Sequence, residues 1–279
     1  MVINWFPGHM KKTIDAITQD TKSVDIVMYI LDARAPFSSI NPTIKEIVKN
    51  KTILYIINKC DLIAKNDEDK IVNSFKKEGN NVLALEGTKT TSKSVLLNKL
   101  KELTKEKYDR SKAKGVEPIF KVMVIGTPNT GKSTIINTLC GQKKTMTGDK
   151  AGVTKAKQWV KITDNFALLD TPGVLWPRFE DEEVALKLAF IGSIKKDVVD
   201  QEELGFELVK FLINKKPTVL EERYKVTVDE REPIEIYDEI LRKSGCIMRG
   251  NEVNYTRGGF KVLEDFRSGK IGKICLDLI

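Results

Sequence analysis

Histidine is all but missing from this chain of 279 residues, occurring once as His9, and the four cysteines, Cys60, Cys140, Cys246 and Cys275, are scattered with no C-x-x-C spacing. These shortages exclude a zinc finger or a histidine-built metal centre and leave no basis for a disulfide framework. No run approaches the roughly 18 apolar residues of a membrane span. Residues Met1 to Lys12 lack the apolar segment of a secretory signal, so a cytoplasmic protein without a membrane span is expected. Charge, by contrast, is plentiful. Lys and Arg number 47 against 39 Asp and Glu, giving a net charge of +8, with 41% of residues apolar. That is an ordinary globular composition with a lean toward an anionic partner, and charge alone does not choose among RNA, DNA and a membrane surface.

The most informative stretch is Gly126-Thr127-Pro128-Asn129-Thr130-Gly131-Lys132-Ser133. It follows the apolar run Ile119 to Ile125 and opens into Thr134-Ile135-Ile136-Asn137-Thr138-Leu139, the strand–turn–helix setting of a phosphate-binding loop. Two glycines separated by four residues let successive N–H groups turn inward on a phosphate. Lys132 adds a mobile cation, and Ser133 offers a hydroxyl to Mg²⁺. The positive end of the following helix faces the same phosphates, so Asn129, Thr130, Gly131, Lys132, Ser133 and Thr134 form the candidate phosphate-binding set.

Along the chain, strand and helix patterns alternate. Met10, Ile14 and Ile17 mark a helix, Val24 to Leu31 a buried strand, and Asn41-Pro42 the start of a short helix. Thr52 to Ile57 and Asn81 to Leu85 read as further strands, with helices around Lys70 to Lys77 and Val95 to Leu103. Lys101 to Gly115 reads as a helix end and connector, Gly141 to Thr154 as a flexible stretch, and Gln158 to Thr163 with Asn165 to Leu169 as a hairpin. The alternation implies an α/β protein with a mostly parallel, doubly wound sheet and ligands at the strand C-termini. Beyond Leu175-Trp176-Pro177 helical periodicity takes over, so residues 1–178 are expected to bind nucleotide and 179–279 to form a small helical domain. Between residues 241 and 273 eight basic residues stand against three acidic ones, a net +5. Interleaved with Tyr255, Phe260 and Phe266, they suit phosphate contacts and base stacking, although the same aromatics suit a core.

Two more strand-end groups carry chemistry. In Asn58-Lys59-Cys60-Asp61 the Asp61 carboxylate can take both a ring N–H and the exocyclic amine of guanine, donors that adenine does not present together. Asn58 can meet the other edge of the base and the Lys59 stem can cover its face. In Asp170-Thr171-Pro172-Gly173 the acid can hold a Mg²⁺-bound water and the Gly173 N–H can reach a γ-phosphate. Thr154 is the candidate to complete the Mg²⁺ shell, with Thr145 and Thr147 nearby alternatives.

These motifs resemble the GTPase superfamily in an altered order, because Asn58 to Asp61 precede the phosphate loop instead of following it, as in a circular permutation. With Trp5-Phe6-Pro7-Gly8-His9-Met10, Asp32-Ala33-Arg34-Ala35-Pro36, Leu175-Trp176-Pro177 and Gly245-Cys246-Ile247-Met248, the whole chain resembles the bacterial ribosome biogenesis GTPase A (RbgA/YlqF) family. The resemblance implies a P-loop GTPase fold, GTP and GDP as ligands with Mg²⁺ as cofactor, and late assembly of the large (50S) ribosomal subunit through rRNA contacts of the C-terminal domain. It also casts His9 as the residue that positions the attacking water, since Val174 stands where Ras-like GTPases carry a glutamine. Asn129 matches the asparagine that supplies an oxygen to K⁺ in potassium-activated GTPases, or it shapes the turn. Ala151 stands where the family often has proline, and Leu85-Glu86-Gly87-Thr88 departs from the usual base-supporting Ser-Ala motif. A metabolic P-loop kinase would have no use for the Asn58 and Asp61 pair. A GTP-dependent RNA-binding or RNA-modification adaptor stays open as the alternative, and a monomer is expected.

Overall fold

The computed structural model describes residues 8–141, 159–171, 173, 175 and 181–279, with residues 8–11 and 170 described through their backbone alone. Six strands form one sheet: β1 (Ile26–Asp32), β2 (Thr52–Asn58), β3 (Asn81–Ala84), β4 (Phe120–Ile125), β5 (Trp159–Thr163) and β6 (Phe166–Asp170). Their order is β3-β2-β1-β4-β6-β5, parallel except for the β5–β6 hairpin. Strand β1 is buried along its whole length, as its apolar run Ile26 to Leu31 requires. Its side chains alternate between the two faces. Val27, Tyr29 and Leu31 join the core beneath α1 (Gly8–Thr21), α2 (Pro42–Val48) and α3 (Lys65–Lys77). Ile26, Met28 and Ile30 join the opposite core beneath α4 (Ser92–Lys112) and α5 (Lys132–Cys140).

From β1 the chain builds outward through β2 and β3, then returns to place β4 on the other side of β1. Strand order therefore reverses at β1, and the crevice beyond the C-terminal ends of β1 and β4 is where such a sheet receives a ligand. The expected strands and helices are present, with one notable difference. The stretch from Lys101 to Lys112 is helix rather than connector, continuing α4. Straight-chain Lys and Glu are good helix formers, Leu103 and Tyr108 still pack against the core, and the exposed Lys105–Asp109 and Glu106–Arg110 pairs add i,i+4 support on the outer face.

The C-terminal region is helical: α6 (Glu182–Phe190), α7 (Gln201–Lys215), α8 (Thr218–Tyr224), α9 (Pro233–Lys243) and α10 (Tyr255–Arg267). It has its own apolar core, including Leu188, Leu208, Leu212, Ile240 and Leu263. Asp181 and Asp200 cap α6 and α7 by accepting N–H groups of their first turns. Helices α7 and α10 meet backbone to backbone at Gly205 and Gly259, where a Cβ on either residue would lie 2.4 Å from a backbone atom of the other helix. The tail then returns to the first region. The Leu276 N–H donates to the Arg34 carbonyl at 2.6 Å, and Asp277 accepts the N–H groups of Phe37 and Ser38 at 2.8 and 3.0 Å.

Between the two regions lies a buried ion pair. Asp32, at the end of β1, and Arg34 are 0% and 2% exposed, and the guanidinium grips both carboxylate oxygens at 2.9 and 2.7 Å. Lys59 adds a third contact, its ammonium 2.8 Å from Asp32 Oδ2. Burial by itself would raise the Asp32 pKa, but the Arg34 guanidinium and the Lys59 ammonium overcome it and hold the group at about 2. Because that pKa is depressed, the stabilisation is present above the ordinary carboxylate pKa near 4 and fades as pH falls from there toward 2. Asp32→Asn would leave Arg34 buried without its anion. It is expected to destabilise the protein by roughly 3–5 kcal/mol at neutral pH, read as a drop in thermal midpoint of about 10 °C. An unchanged midpoint would show that the pair contributes nothing net.

Candidate nucleotide site

The phosphate loop begins where β4 ends, and its shape depends on residues that tolerate positive φ. Gly126 has φ 151° and Gly131 φ 94°. A Cβ at the first would sit 2.4 Å from the Ile30 carbonyl oxygen, and at the second 2.2 Å from Asn58 Nδ2, so neither position accepts a side chain. Asn129, between them, also lies in the left-handed region at φ 61°, which asparagine tolerates better than most residues. The Thr130 hydroxyl and the Lys132 ammonium both donate to the Thr127 carbonyl, at 3.0 and 2.8 Å, drawing the loop around its own base. Ser133 and Thr134 occupy the first turn of α5, half-buried. The fully buried Thr127 hydroxyl has no hydrogen-bond partner among the described residues.

Asn58 to Asp61 reach the same place from β2. The Asn58 side chain is 3% exposed and works as a staple, its Nδ2 donating to the Thr130 carbonyl at 2.8 Å and its Oδ1 accepting from the Gly87 N–H at 2.9 Å. These two bonds tie the phosphate loop to the loop after β3, a task the sequence did not signal. Gly87 is closely packed there, since a Cβ would lie 2.8 Å from Ile135 Cδ1 and 3.0 Å from Asn58 Oδ1. Lys59, at φ 64°, extends its ammonium to Asp32 and to the Asn129 carbonyl, the latter at 2.6 Å. Asp61 is exposed at the start of a single 3₁₀ turn and lines a cavity of about 330 Å³ together with Cys60, Leu85, Glu86 and Lys89. The Cys60 N–H donates to the Leu85 carbonyl at 3.4 Å, and the Thr138 hydroxyl to that of Gly87 at 2.7 Å, which fixes the loop whose Leu85 and Glu86 line this cavity. Hydrogen bonds from Lys89 and Thr88 hold the Glu86 carboxyl below its ordinary pKa.

The third group approaches from β6. Asp170 ends that strand opposite Val124, two residues before Gly126, and the buried Thr171 hydroxyl donates to the Val124 carbonyl. Gly173 lies directly over the phosphate loop, where a Cβ would be 2.7 Å from the Lys132 ammonium and 2.9 Å from Pro128 Cα. Thus Asn58, Lys59, residues 126–134 and Gly173 converge, while Asp61, two residues after Lys59, lines the cavity at Leu85 and Glu86. Thr154, with its alternatives Thr145 and Thr147, lies outside the described residues, as do the side chains of His9 and Asp170; the His9 backbone falls in the first turn of α1.

Sequence reasoning missed two contributors. Asp32, noted only within a motif, turns out to anchor Lys59 under the loop. The helical region also reaches the site, because Asn129 Nδ2 donates to the Gly192 carbonyl at 2.6 Å and the Ser193 hydroxyl to the Pro128 carbonyl at 2.9 Å. Nothing in the pattern Ile191-Gly192-Ser193 beyond a turn-forming glycine signalled this contact.

Comparison with known proteins agrees with this assembly. Residues 121–238 match the family model described as 50S ribosome-binding GTPase. The chain is 41% identical to ribosome biogenesis GTPase A of Bacillus licheniformis over 99% of this chain and 98% of that protein. It is 32% identical to mitochondrial ribosome-associated GTPase 1 of the mouse, covering 99% and 90%. A crystal structure of GNP-bound YlqF from T. maritima superposes with a TM-score of 0.68 at 24% identity, covering 95% of this chain and 97% of that one, and so shares the fold. The motif order, the converged loops and these relatives lead to one conclusion: the chain is a circularly permuted P-loop GTPase and belongs to the ribosome biogenesis GTPase A family.

Proposed function

We propose that this protein binds GTP in the crevice beyond β1 and β4 and hydrolyses it as a switch in the late assembly of the large ribosomal subunit. The observation that carries this reading is the convergence of Asn58 and Lys59, which lead into Asp61, with the phosphate loop and Gly173, at a place the helical region also touches. In this reading residues 1–178 handle the nucleotide and 179–279 hold the RNA-rich partner, in the cytoplasm where subunits are assembled. No helix among the described residues is long and apolar enough to cross a membrane.

The glycine cradle and Lys132 fit a triphosphate, and the Ser133 hydroxyl at the first turn of α5 fits the Mg²⁺ that accompanies it. That ion would be held by the Ser133 hydroxyl and phosphate oxygens, with Thr154 and Asp170 as its further ligands. When bound, Mg²⁺ would offset charge on the β- and γ-phosphates. Around it, Lys132 neutralises phosphate oxygens, and the Gly173 N–H holds the γ-phosphate so that its loss frees the segment. The overall test is co-sedimentation with large ribosomal subunits, expected with a non-hydrolysable GTP analogue and reduced with GDP. Asp61→Asn exchanges an acceptor for a donor and should shift both binding and co-sedimentation from GTP toward xanthosine triphosphate. Undiminished GTP affinity in that variant would remove Asp61 from the site.

The RNA-facing surface is smaller than the sequence implied. Phe266 is 2% exposed and belongs to the core, and Tyr255 donates to Asp238 at 2.7 Å, whereas Phe260 is 45% exposed. Arg267 does not face outward either. It donates to the Phe190 and Ala189 carbonyls at 2.9 Å each, and burial next to Arg34 lowers its pKa to about 10, still charged at neutral pH. Lys261 is paired with the buried Asp265 at 2.9 Å. Arg249, Arg257 and Lys273 are exposed and make no ion pair among the described residues, and Ile247 and Met248 stand exposed beside Arg249. Neutralising these three cations together should weaken subunit binding and flatten its slope against log[salt] by about two to three units, with GTP binding intact. Wild-type binding at every salt concentration would make them plain surface.

The catalytic proposal rests on His9 and K⁺. A neutral imidazole at His9 would accept a hydrogen bond from the attacking water once the partner is bound, in place of the absent glutamine. Asn129 is a candidate K⁺ ligand, since its Oδ1 makes no hydrogen bond among the described residues while Nδ2 is held by Gly192. His9→Ala should lower subunit-stimulated hydrolysis by about 10²-fold with GTP affinity preserved, and the wild-type rate should be higher in K⁺ than in Na⁺. Normal stimulated turnover by the variant would exclude His9, and equal rates in the two salts would reduce Asn129 to a turn residue.

A further inference from the structure

The C-terminal end of α6 is held from three sides. A helix leaves its last carbonyls without intrahelical partners, and these are commonly met by water or a short cap. Here the Ala189 and Phe190 carbonyls accept from Arg267 of α10, the Ile191 carbonyl accepts from Arg34 at 3.3 Å, and the Gly192 carbonyl accepts from Asn129 of the phosphate loop. Ser193, 1% exposed, then donates its hydroxyl to the Pro128 carbonyl. Gly192 makes this turn possible at φ 82°, with room for a Cβ only 3.3 Å from Arg267 Nε.

The residues so gripped are the middle of the phosphate loop. Asn129 adopts a left-handed conformation that costs a non-glycine residue energy and persists only where its surroundings fix it. Two contacts do so: the Gly192 carbonyl holds its amide, and the Lys59 ammonium, itself anchored on Asp32, holds its carbonyl. Arg34 bonds both Asp32 and the Ile191 carbonyl, and its Nη1 donates to the Arg267 carbonyl at 3.3 Å, so one buried network reaches from β1 to α6 and α10.

We propose that Gly192 and Ser193 form a hook from the helical region that positions Pro128 and Asn129 for the phosphates, with Ser193 as a positioning residue for nucleotide binding. This deepens the reading above and rests on it in one respect, that the helical region holds the partner. Because the hook belongs to that region, nucleotide in the loop and partner on the helices act on the same hydrogen bonds, and each changes the affinity for the other by the same factor.

The test uses the full chain and Ser193→Ala, with fluorescent GDP and a fluorescent non-hydrolysable GTP analogue as probes. Losing one buried hydrogen bond should raise the dissociation constant for the GTP analogue about three- to tenfold and narrow the GTP-analogue-over-GDP preference in subunit co-sedimentation. Ser193→Cys, which keeps the size and a weak donor, should fall between wild type and the alanine variant and serves if that one does not fold. A lowered thermal midpoint with unchanged nucleotide constants would make the hook mere glue between regions and overturn the proposal. If wild-type protein itself ignores nucleotide when binding subunits, the switch reading fails, while the nucleotide constants of the free variants still decide the role of Ser193.

Discussion

The arrangement depends on one buried carboxylate. Asp32 ends the central strand at the point where strand order reverses, and its two oxygens take up Arg34 and Lys59. Desolvating an anion is costly, and it is tolerated here because both cations bond it directly. Each cation also has a second task. Lys59 passes under the phosphate loop to the Asn129 carbonyl, and Arg34 reaches the Ile191 and Arg267 carbonyls of the helical region. A single charge at the switch point therefore sets the relative positions of base loop, phosphate loop and helical region.

Permutation changes little in that geometry, because the sites gather at the C-terminal ends of β1, β2, β4 and β6 whichever connection is cut. What it changes is the wiring. The segment after β6 that brings Gly173 over Lys132 runs on, a few residues later, into α6, whose far end returns to bond Pro128 and Asn129. The phosphate loop is thus flanked from above by the segment leaving the sheet and from the side by the first helix that this segment feeds. The C-terminal tail closes the circuit through Leu276 and Asp277, which bond the Arg34 carbonyl and the turn after it.

Much of this was legible in the sequence because it is local. The phosphate loop, Asn58 to Asp61 and the run into Gly173 are short strings whose chemistry follows from residue type and spacing, and strands such as Ile26 to Leu31 announce burial by their unbroken apolar run. What was not legible depends on tertiary contacts. That Asn58 is a staple follows from where Gly87 and Thr130 lie, 29 and 72 residues away. That Arg267 is internal follows from the open carbonyls at the end of α6, and no periodicity reports a carbonyl. The continuation of α4 to Lys112 is hard to read from sequence because its buried face narrows there to Leu103, Thr104 and Tyr108 among charged residues, a stripe too thin for hydrophobic pattern to distinguish from a linker.

The same limit explains why a count of basic residues over 241–273 overstates the charge left free at the surface. Asp265 is 0% exposed yet lies within 2.7 Å of Arg223 and 2.9 Å of Lys261, with Lys270 at 3.9 Å and the Tyr224 hydroxyl at 3.4 Å. Burial pushes its pKa up, but the Lys261 and Arg223 contacts win and leave it below the ordinary carboxylate value. One internal anion therefore draws the charged ends of several cations toward α10, much as Asp32 does at the sheet. In the count over 241–273 Lys261 weighs as much as Arg249 or Arg257, but its ammonium is paired with Asp265, and Lys270 also lies near that anion. Among the described residues of this stretch, the exposed cations without an acidic partner are Arg242, Arg249, Arg257 and Lys273.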